Sequence, residues 1–135
     1  MMMSKIAEAL DVRLVGQDGM VTGVSKDTRD IHAGDLYVAL KGDRFDGHEF
    51  VSKATAAGAV GVLVSELQAE TGLRDVPQVQ VDDTRIALGK LAAYWRQKFT
   101  GKLVGITGSN GKTSVKEMCS KILSDFAGAS AVLAT

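Results

Sequence analysis

The glycine-rich stretch GITGSNGKT at positions 105–113 places the strongest constraint on how this chain can fold. The apolar run LVGIT at 103–107, which overlaps it, is typical of a buried strand. After the stretch, apolar residues recur at helical spacing on one stripe, which consists of Val115, Met118, Cys119, Ile122, Leu123 and Phe126. Such a stripe has to pack on another layer. The segment therefore predicts one strand–loop–helix unit of a layered α/β fold.

The turn within this stretch has the composition of a phosphate-binding loop. Gly108 and Gly111 let backbone amides approach an oxyanion, because neither residue has a Cβ. A helix beginning near Lys112 directs its unpaired amides and its positive dipole end at the same point. The Lys112 side chain adds a positive charge for the outer phosphates, and Thr113 or Ser114 adds a hydroxyl for Mg²⁺.

The loop departs from the G-x-x-x-x-G-K-[ST] pattern, because Ile106 occupies the position of the first glycine. A plain glycine turn beside an exposed lysine is the alternative interpretation. The order of strand, two glycines, Gly-Lys-Thr-Ser and amphipathic helix favours phosphate binding. The sequence up to Thr135 offers no identifiable acidic second metal ligand, general base or adenine pocket.

Upstream of the loop, predicted strands alternate with predicted helices, which indicates an α/β fold. The predicted helices are a short one capped by Ser4 and ending at Leu10, one from Gly47 to about Ala57 capped by Asp46, and one capped by Asp82 or Asp83 and ending near Lys98. The predicted strands lie at 35–40, 60–65 and 78–81, with two short ones on either side of a turn at 17–19. The polar segment KFTGK at 98–102 is the predicted boundary between a domain at 1–100 and the start of a second at 101–135.

The composition argues against several classes of protein. The 16 basic residues balance the 16 acidic ones, so we expect neither a nucleic-acid binder nor a membrane-surface binder. The lone cysteine, Cys119, cannot form an internal disulfide and suits a reducing compartment. His32 and His48 have no cysteine or acidic partner at ligand spacing, so the sequence predicts no zinc site. Because the N-terminal residues lack an apolar signal segment, we expect a cytoplasmic protein.

Three segments carry a resemblance to a known family. The sequence TGSNGKTSVKEM at 107–118 resembles the ATP loop of the Mur ligases, which have Thr-Gly-x-x-Gly-Lys-Thr in place of the longer pattern. This shorter pattern requires no glycine at position 106, which accounts for Ile106. The sequences SKDTRDIHAGDLYVALKGDRFDGHEF at 25–50 and VDDTRIALGKLA at 81–92 are similar to the opening domain and the following helix of the family branch that adds D-Ala-D-Ala. The resemblance covers nearly the whole chain.

The resemblance implies a three-domain ligase that binds a UDP-sugar peptide, ATP and an amino component in successive domains. ATP would phosphorylate the carboxylate of UDP-N-acetylmuramoyl-tripeptide, and the amine of D-Ala-D-Ala would attack the acyl phosphate. Lys112 is the implied catalytic residue, and Thr113 is the implied Mg²⁺ ligand in this chain. The implied ATP-binding residues are Thr107, Gly108, Ser109, Asn110, Gly111, Lys112, Thr113 and Ser114.

The resemblance also implies substrate contacts in the first domain. Thr28 and Arg29 correspond to contacts with the uridine-diphosphate end, and their hydroxyl and guanidinium suit pyrophosphate and ribose oxygens. A charged turn with internal pairing around Arg29 is the alternative. The loop residues Lys41, Gly42, Arg44 and Phe45 form the second implied contact region, with Phe45 as a stacking face. An ordinary strand-to-helix loop is the alternative there.

We expect the chain to be the opening part of such a ligase, inactive alone, in which 101–135 begins a Rossmann-like ATP-binding domain. A lone strand–helix unit cannot bury its apolar stripe, so we expect 102–135 to be poorly ordered or packed against another chain. We expect the whole enzyme to be monomeric and the fragment to self-associate through its last helix. A ligase adding the third residue, a non-catalytic UDP-sugar-binding module and a small P-loop NTPase are the competing hypotheses.

Overall fold

A computed structural model of the protein describes residues 1–43, 45–70 and 72–134. The chain divides into two compact units, Met1–Phe99 and Thr100–Thr135. In the part of the chain that is described, no helix combines the length and the apolar content needed to cross a bilayer.

The first unit is an α/β layer structure, as the sequence predicts. Its elements in chain order are α1 (Met3–Ala9), β1 (Leu14–Val15), β2 (Gly23–Ser25), β3 (Asp35–Val38), β4 (Lys41–Gly42), β5 (Phe45–Asp46), a 3₁₀ helix (Gly47–Phe50), α2 (Val51–Ala56), β6 (Gly61–Val64), β7 (Gln78–Gln80) and α3 (Thr84–Lys98). Five strands form one sheet in the order β1-β7-β6-β3-β2, in which only β1 runs antiparallel to its neighbour. Strands β4 and β5 form a separate antiparallel hairpin.

The two central strands, β3 and β6, are buried along their whole length. Their side chains alternate between two apolar clusters, one on each face of the sheet. On one face Leu36 and Leu63 belong to the cluster that includes residues of α1 and α3. On the other face Tyr37 and Val62 belong to the cluster that includes Val51 of α2. Burial on both faces explains why these strands are continuous apolar runs in the sequence.

The two short strands around residues 17–19 exist, but they do not pair with each other. Strand β1 pairs with β7 at one edge of the sheet, and β2 pairs with β3 at the opposite edge. The connecting segment instead contacts the N-terminus, where Met2 and Met20 form an isolated bridge and the Met3 amide donates to the Gly19 carbonyl at 2.9 Å. Each strand therefore finds its partner through the tertiary fold and not across the turn.

The cap predicted for the first helix is also different in the structure. Helix α1 begins at Met3, so Ser4 lies within its first turn. The carboxylate of Asp18, which is distant in sequence, accepts hydrogen bonds from the Ser4 amide at 3.0 Å and the Ser4 hydroxyl at 2.6 Å. These bonds lower the pKa of Asp18, the hydroxyl bond most strongly. A cap supplied across the fold cannot be read from local spacing.

The other two helix starts agree with the sequence, although their details differ. The Asp46 carboxylate accepts from the His48 amide at 2.9 Å, and the first turn that follows is 3₁₀. The Asp83 carboxylate accepts from two amides at the start of α3. The buried face of α3 comprises Thr84, Ala87 and Leu91, whereas Trp95 near its end and Phe99 directly after it are exposed.

The second unit consists of a loop, α4 (Lys112–Ala127) and a 3₁₀ helix (Ala129–Ala131). The predicted strand at 103–107 is absent from the described residues. Leu103 and Val104 are 71% and 65% exposed. A strand exists only when a neighbour bonds to it, and the described residues of this unit contain none. The apolar stripe of α4 is likewise not buried.

Candidate functional site

A cleft of ≈ 340 Å³ opens in the first unit beside the carboxyl ends of β2 and β3. The turn after β2, the 3₁₀ helix, the hairpin and α2 supply its lining, which consists of Lys26, Asp27, Thr28, Arg29, Tyr37, Phe45, Phe50 and Lys53. Carboxyl ends of neighbouring parallel strands meet at one edge of a sheet, where open α/β folds bind their ligands. The cleft is therefore the candidate binding site of this unit.

Aromatic side chains form the apolar part of the cleft. Phe45 stacks on Phe50 with ring centroids 5.2 Å apart and ring planes 18° apart. Tyr37 is buried, and its hydroxyl donates to the Gly47 carbonyl at 3.0 Å. Burial raises the pKa of Tyr37, so its hydroxyl stays neutral. Phe45 remains 53% exposed, which leaves ring surface for a planar ligand group.

Charged side chains form the rim. The Arg29 guanidinium donates from Nε and Nη2 to the Asp27 carboxylate, which also accepts from the Arg29 amide at 3.0 Å. These bonds hold the pKa of Asp27 well below its ordinary range, the side-chain bonds most strongly. The internal pairing that the sequence left as an alternative is thus present between these two residues. Arg29 keeps donors on Nη1, and Lys26 and Lys53 add positive charge at the same rim.

The structure gathers part of the predicted substrate set. Thr28, Arg29 and Phe45 line the cleft, whereas Lys41 and Gly42 of β4 are not among its lining residues. Arg44 lies outside the described residues. Five lining residues were not predicted from the sequence, namely Lys26, Asp27, Tyr37, Phe50 and Lys53. The one available signal was the polar ring of Tyr37 within the apolar run LYVAL at 36–40.

A hydrogen-bond network lies beside the cleft. His48 Nδ1 lies 2.5 Å from Asp46 Oδ1, and His48 Nε2 accepts from the Ser65 amide at 2.9 Å. Lys41 Nζ lies 3.4 Å from the second oxygen of Asp46. The His48 amide and ring, followed by Lys41, lower the pKa of Asp46 to about 2. Within the described ranges, no group of histidine, cysteine and acidic residues could hold a metal ion.

Asp46→Asn is expected to destabilise the protein at pH 7 by about 1 kcal/mol, with solvent screening allowed for. A carboxyl whose folded pKa is depressed stabilises the fold above its unfolded pKa, and that contribution disappears as the pH falls through the folded pKa. Because the folded pKa is about 2, the native protein and the variant should converge between about pH 4 and pH 2. Urea unfolding at several pH values measures this difference, and a gap that stays constant down to pH 2 contradicts the assignment.

The second unit contains the glycine-rich loop. Gly111 has φ 75° and is the N-cap of α4, and Gly108 has φ 151°, so both conformations favour glycine. Lys112 Nζ donates back to the Gly108 carbonyl at 2.5 Å. Lys112 and Thr113 line a hollow of ≈ 260 Å³, together with Val104, Ile106 and Lys116.

This loop geometry fits a phosphate group. The first amides of α4 and the ammonium group of Lys112 lie at one helix N-terminus, where a phosphate is stabilised by donors and by the helix dipole. Ser114 lies in the first turn of α4, and Thr107, Ser109 and Asn110 lie in the loop before it. Thr113 offers one hydroxyl for Mg²⁺, and the described residues of this unit place no metal-binding cluster beside it.

An α/β sheet with an open cleft, followed by a glycine-rich loop at a helix N-terminus, is an arrangement that nucleotide-binding proteins commonly use. The domain description "Mur ligase family, catalytic domain" matches residues 20–96, and "Mur ligase middle domain" matches residues 106–135. The chain belongs to the Mur ligase family, which confirms the resemblance seen in the sequence.

Known relatives give a finer comparison. The UDP-N-acetylmuramoyl-tripeptide–D-alanyl-D-alanine ligase of Escherichia coli (strain K12) is 47% identical over 122 residues, which are 90% of this chain and 26% of that protein. The structure of UDP-N-acetylmuramoylalanyl-D-glutamyl-2,6-diaminopimelate–D-alanyl-D-alanyl ligase from Acinetobacter baumannii matches with a TM-score of 0.75 and 34% identity over 90% of this chain and 27% of its own. The MurF ligase of Thermotoga maritima in complex with ADP matches with a TM-score of 0.62 and 32% identity over 78% of this chain and 24% of its own. The chain thus spans about a quarter of the length of these relatives.

Proposed function

We propose that this chain supplies the UDP-sugar-peptide-binding domain and the ATP loop of a peptidoglycan-precursor ligase. The ligase joins D-Ala-D-Ala to UDP-N-acetylmuramoyl-tripeptide at the expense of ATP. The observation that carries the proposal is the 47% identity to the Escherichia coli ligase of that name over 90% of this chain. The cytoplasm, where these soluble precursors are assembled, is the proposed location, and a monomer is the proposed state of the whole enzyme.

In this proposal, residues 1–100 bind the UDP end of the sugar peptide. The cleft combines ring surface on Phe45 with a cationic rim at Arg29 and Lys53. A planar uracil can stack on an aromatic ring, while a guanidinium with donors to spare can bind pyrophosphate oxygens. Thr28 adds a hydroxyl at the same rim. Lys41, Gly42 and Arg44 complete the proposed substrate set.

Residues 101–135 bind the phosphates of ATP through positions 107–114. In the structure the Lys112 ammonium bonds to the Gly108 carbonyl, which holds it at the mouth of the loop. A bound β- or γ-phosphate is a stronger partner for an ammonium than a neutral carbonyl, so it takes over this bond. Mg²⁺, when bound, neutralises phosphate charge, and Thr113 would hold it from this chain.

The reaction proceeds in two balanced steps. The terminal carboxylate oxygen of the tripeptide attacks the γ-phosphorus of ATP, and ADP departs with the electrons of the broken P–O bond. The amine nitrogen of D-Ala-D-Ala then attacks the acyl carbon, loses a proton and expels inorganic phosphate. Lys112 stabilises the negative charge that develops on the transferring phosphoryl group. The chain thus contributes substrate positioning and charge stabilisation, and the remaining groups come from the other domains of the ligase.

A chimera tests this function. The chain replaces the matching quarter of the Escherichia coli ligase, and ADP release is measured with UDP-N-acetylmuramoyl-tripeptide and D-Ala-D-Ala. The proposal predicts ADP release that requires both substrates. A chimera that is folded, as judged by its unfolding transition, and that releases no ADP with both substrates contradicts the proposal.

A further inference from the structure

His48 connects two parts of the first unit that are distant in sequence. Its Nδ1 contacts Asp46 of β5, and its Nε2 accepts from the amide of Ser65, which directly follows β6. The His48 side chain is 13% exposed, and the Gln80 side chain donates to the Ser65 carbonyl at 3.2 Å. The ring therefore ties the hairpin β4–β5 to the end of a central strand.

This arrangement requires one form of the imidazole. A ring nitrogen that accepts a backbone N–H carries no proton, so the proton of neutral His48 is on Nδ1 and is donated to Asp46. A second proton, on Nε2, would point at the N–H group of Ser65, so that two donors would face each other without an acceptor. The bond that ties the hairpin to β6 exists only while His48 is neutral.

The neighbouring groups decide which end of the network is lost when the ring gains a proton. The Asp46 carboxylate accepts from Nδ1 in either form of the ring and keeps its contact, and Lys41 lies 3.4 Å from its other oxygen. The Tyr37 hydroxyl on β3 is neutral and donates to the Gly47 carbonyl. The Ser65 hydroxyl, 3.1 Å from Nε2, is an alternative acceptor. Protonation thus breaks the bond to the Ser65 amide first.

The ring also lies in the chain between the two stacked phenylalanines of the cleft, Phe45 and Phe50. Phe45 belongs to the hairpin that the network holds. We propose that neutral His48 is a positioning residue, which fixes the hairpin and therefore the Phe45 ring for the UDP-sugar ligand. Protonation of the ring releases the hairpin and weakens binding. The part that concerns the ligand rests on the proposed function.

Two variants separate the two ends of the network. In His48→Gln the amide oxygen reaches the position of Nε2, accepts from the Ser65 amide and gains no proton in this pH range. In His48→Asn the shorter amide reaches only the position of Nδ1, so the bond to Ser65 is lost. His32→Gln is the matched control, because the His32 ring is exposed and lies 3.8 Å from Asp35. Ser65→Ala keeps the backbone amide and removes the alternative hydroxyl acceptor.

The first readout needs no ligand. NMR spectra of the 135-residue chain are recorded from about pH 8 to about pH 5.5, the range in which histidines ordinarily gain a proton. The Ser65 amide and the Phe45 ring signals are expected to shift together with the His48 ring in the native chain, in His32→Gln and in Ser65→Ala. In His48→Gln they are expected not to move with pH. A hairpin that does not respond when His48 titrates overturns the inference, as does a response that disappears in Ser65→Ala.

The second readout is calorimetric titration with UDP-N-acetylmuramoyl-tripeptide at both ends of this pH range. Native affinity is expected to fall about tenfold on acidification, the effect of roughly one hydrogen bond, and His48→Asn should be weak at both pH values. In His48→Gln the affinity should not change between the two pH values, because the variant keeps an acceptor for the Ser65 amide and has no group that titrates in this range. Native affinity that falls equally in His48→Gln overturns the inference. A hairpin that responds in a chain that does not bind the ligand supports the positioning role and instead contradicts the proposed function.

Discussion

Replacing Lys112 with alanine in the chimeric ligase is expected to lower kcat by about three orders of magnitude, the typical effect of removing a charged group from phosphoryl transfer. Lys112 lies at the N-terminus of α4 and lines the hollow beside the glycine-rich loop. Its ammonium already bonds to the Gly108 carbonyl, so it is placed before any nucleotide binds. The charge that it opposes is largest in the transition state, and the loss should therefore appear mainly in kcat.

The matched control is Lys121→Ala. Lys121 lies on the same helix and is exposed, and its ammonium contacts Asp125 at 3.1 Å. Removing an exposed i,i+4 ion pair should leave kcat within about twofold of the native value, because such pairs contribute little. Steady-state ADP release measures both variants. Equal kcat values for the two variants would refute the assignment of the loop.

Gly47→Ala is expected to lower the free energy of unfolding by about 3 kcal/mol, the upper range for overpacking a filled site. A Cβ at Gly47 would stand 2.8 Å from both the amide nitrogen and the carbonyl oxygen of Leu40. Both are backbone atoms of the segment after β3, so no side chain can turn aside to make room. The Gly47 amide and carbonyl also bond to Leu40 and Tyr37, and a displaced backbone weakens both bonds.

Gly89→Ala is the control, because it is expected to raise the free energy of unfolding. Gly89 lies within α3, and an added Cβ there meets nothing within 4 Å. Alanine should stabilise the helix by up to about 1 kcal/mol, because glycine is the weaker helix former. Urea unfolding compares the midpoints of the two variants with that of the native chain. The comparison holds when the slope of the unfolding free energy against urea concentration is unchanged. A Gly47→Ala midpoint at or above the native one shows that the close approach to Leu40 is not a constraint.

The sequence was most informative for strands that are buried on both faces and for helices whose capping residue is next to the helix. Strands β3 and β6 were predictable because both faces are buried, which produces continuous apolar runs. The start of α3 was predictable because the capping residue, Asp83, lies next to the helix. The glycine-rich loop was recognisable because its conformations need glycine at two fixed positions.

The remaining features depend on contacts across the fold. The Asp18 cap of α1 and the His48 bond to Ser65 join residues that are 14 and 17 positions apart. The hairpin β4–β5 has two-residue strands, which are too short to show a period. Lys53 reaches the cleft only because α2 packs against β3 and the 3₁₀ helix, so nothing in its local sequence marks it.

The most direct test of the account is calorimetric titration of this chain with UDP-N-acetylmuramoyl-tripeptide, without ATP, at neutral pH. Saturable one-to-one binding that UDP displaces is the expected result. Phe45→Ala should weaken the binding, because it removes the exposed ring of the cleft, whereas Trp95→Ala on α3 should not. A folded chain that does not bind the ligand, or binding that Phe45→Ala leaves unchanged, would contradict the assignment of this cleft to the nucleotide sugar.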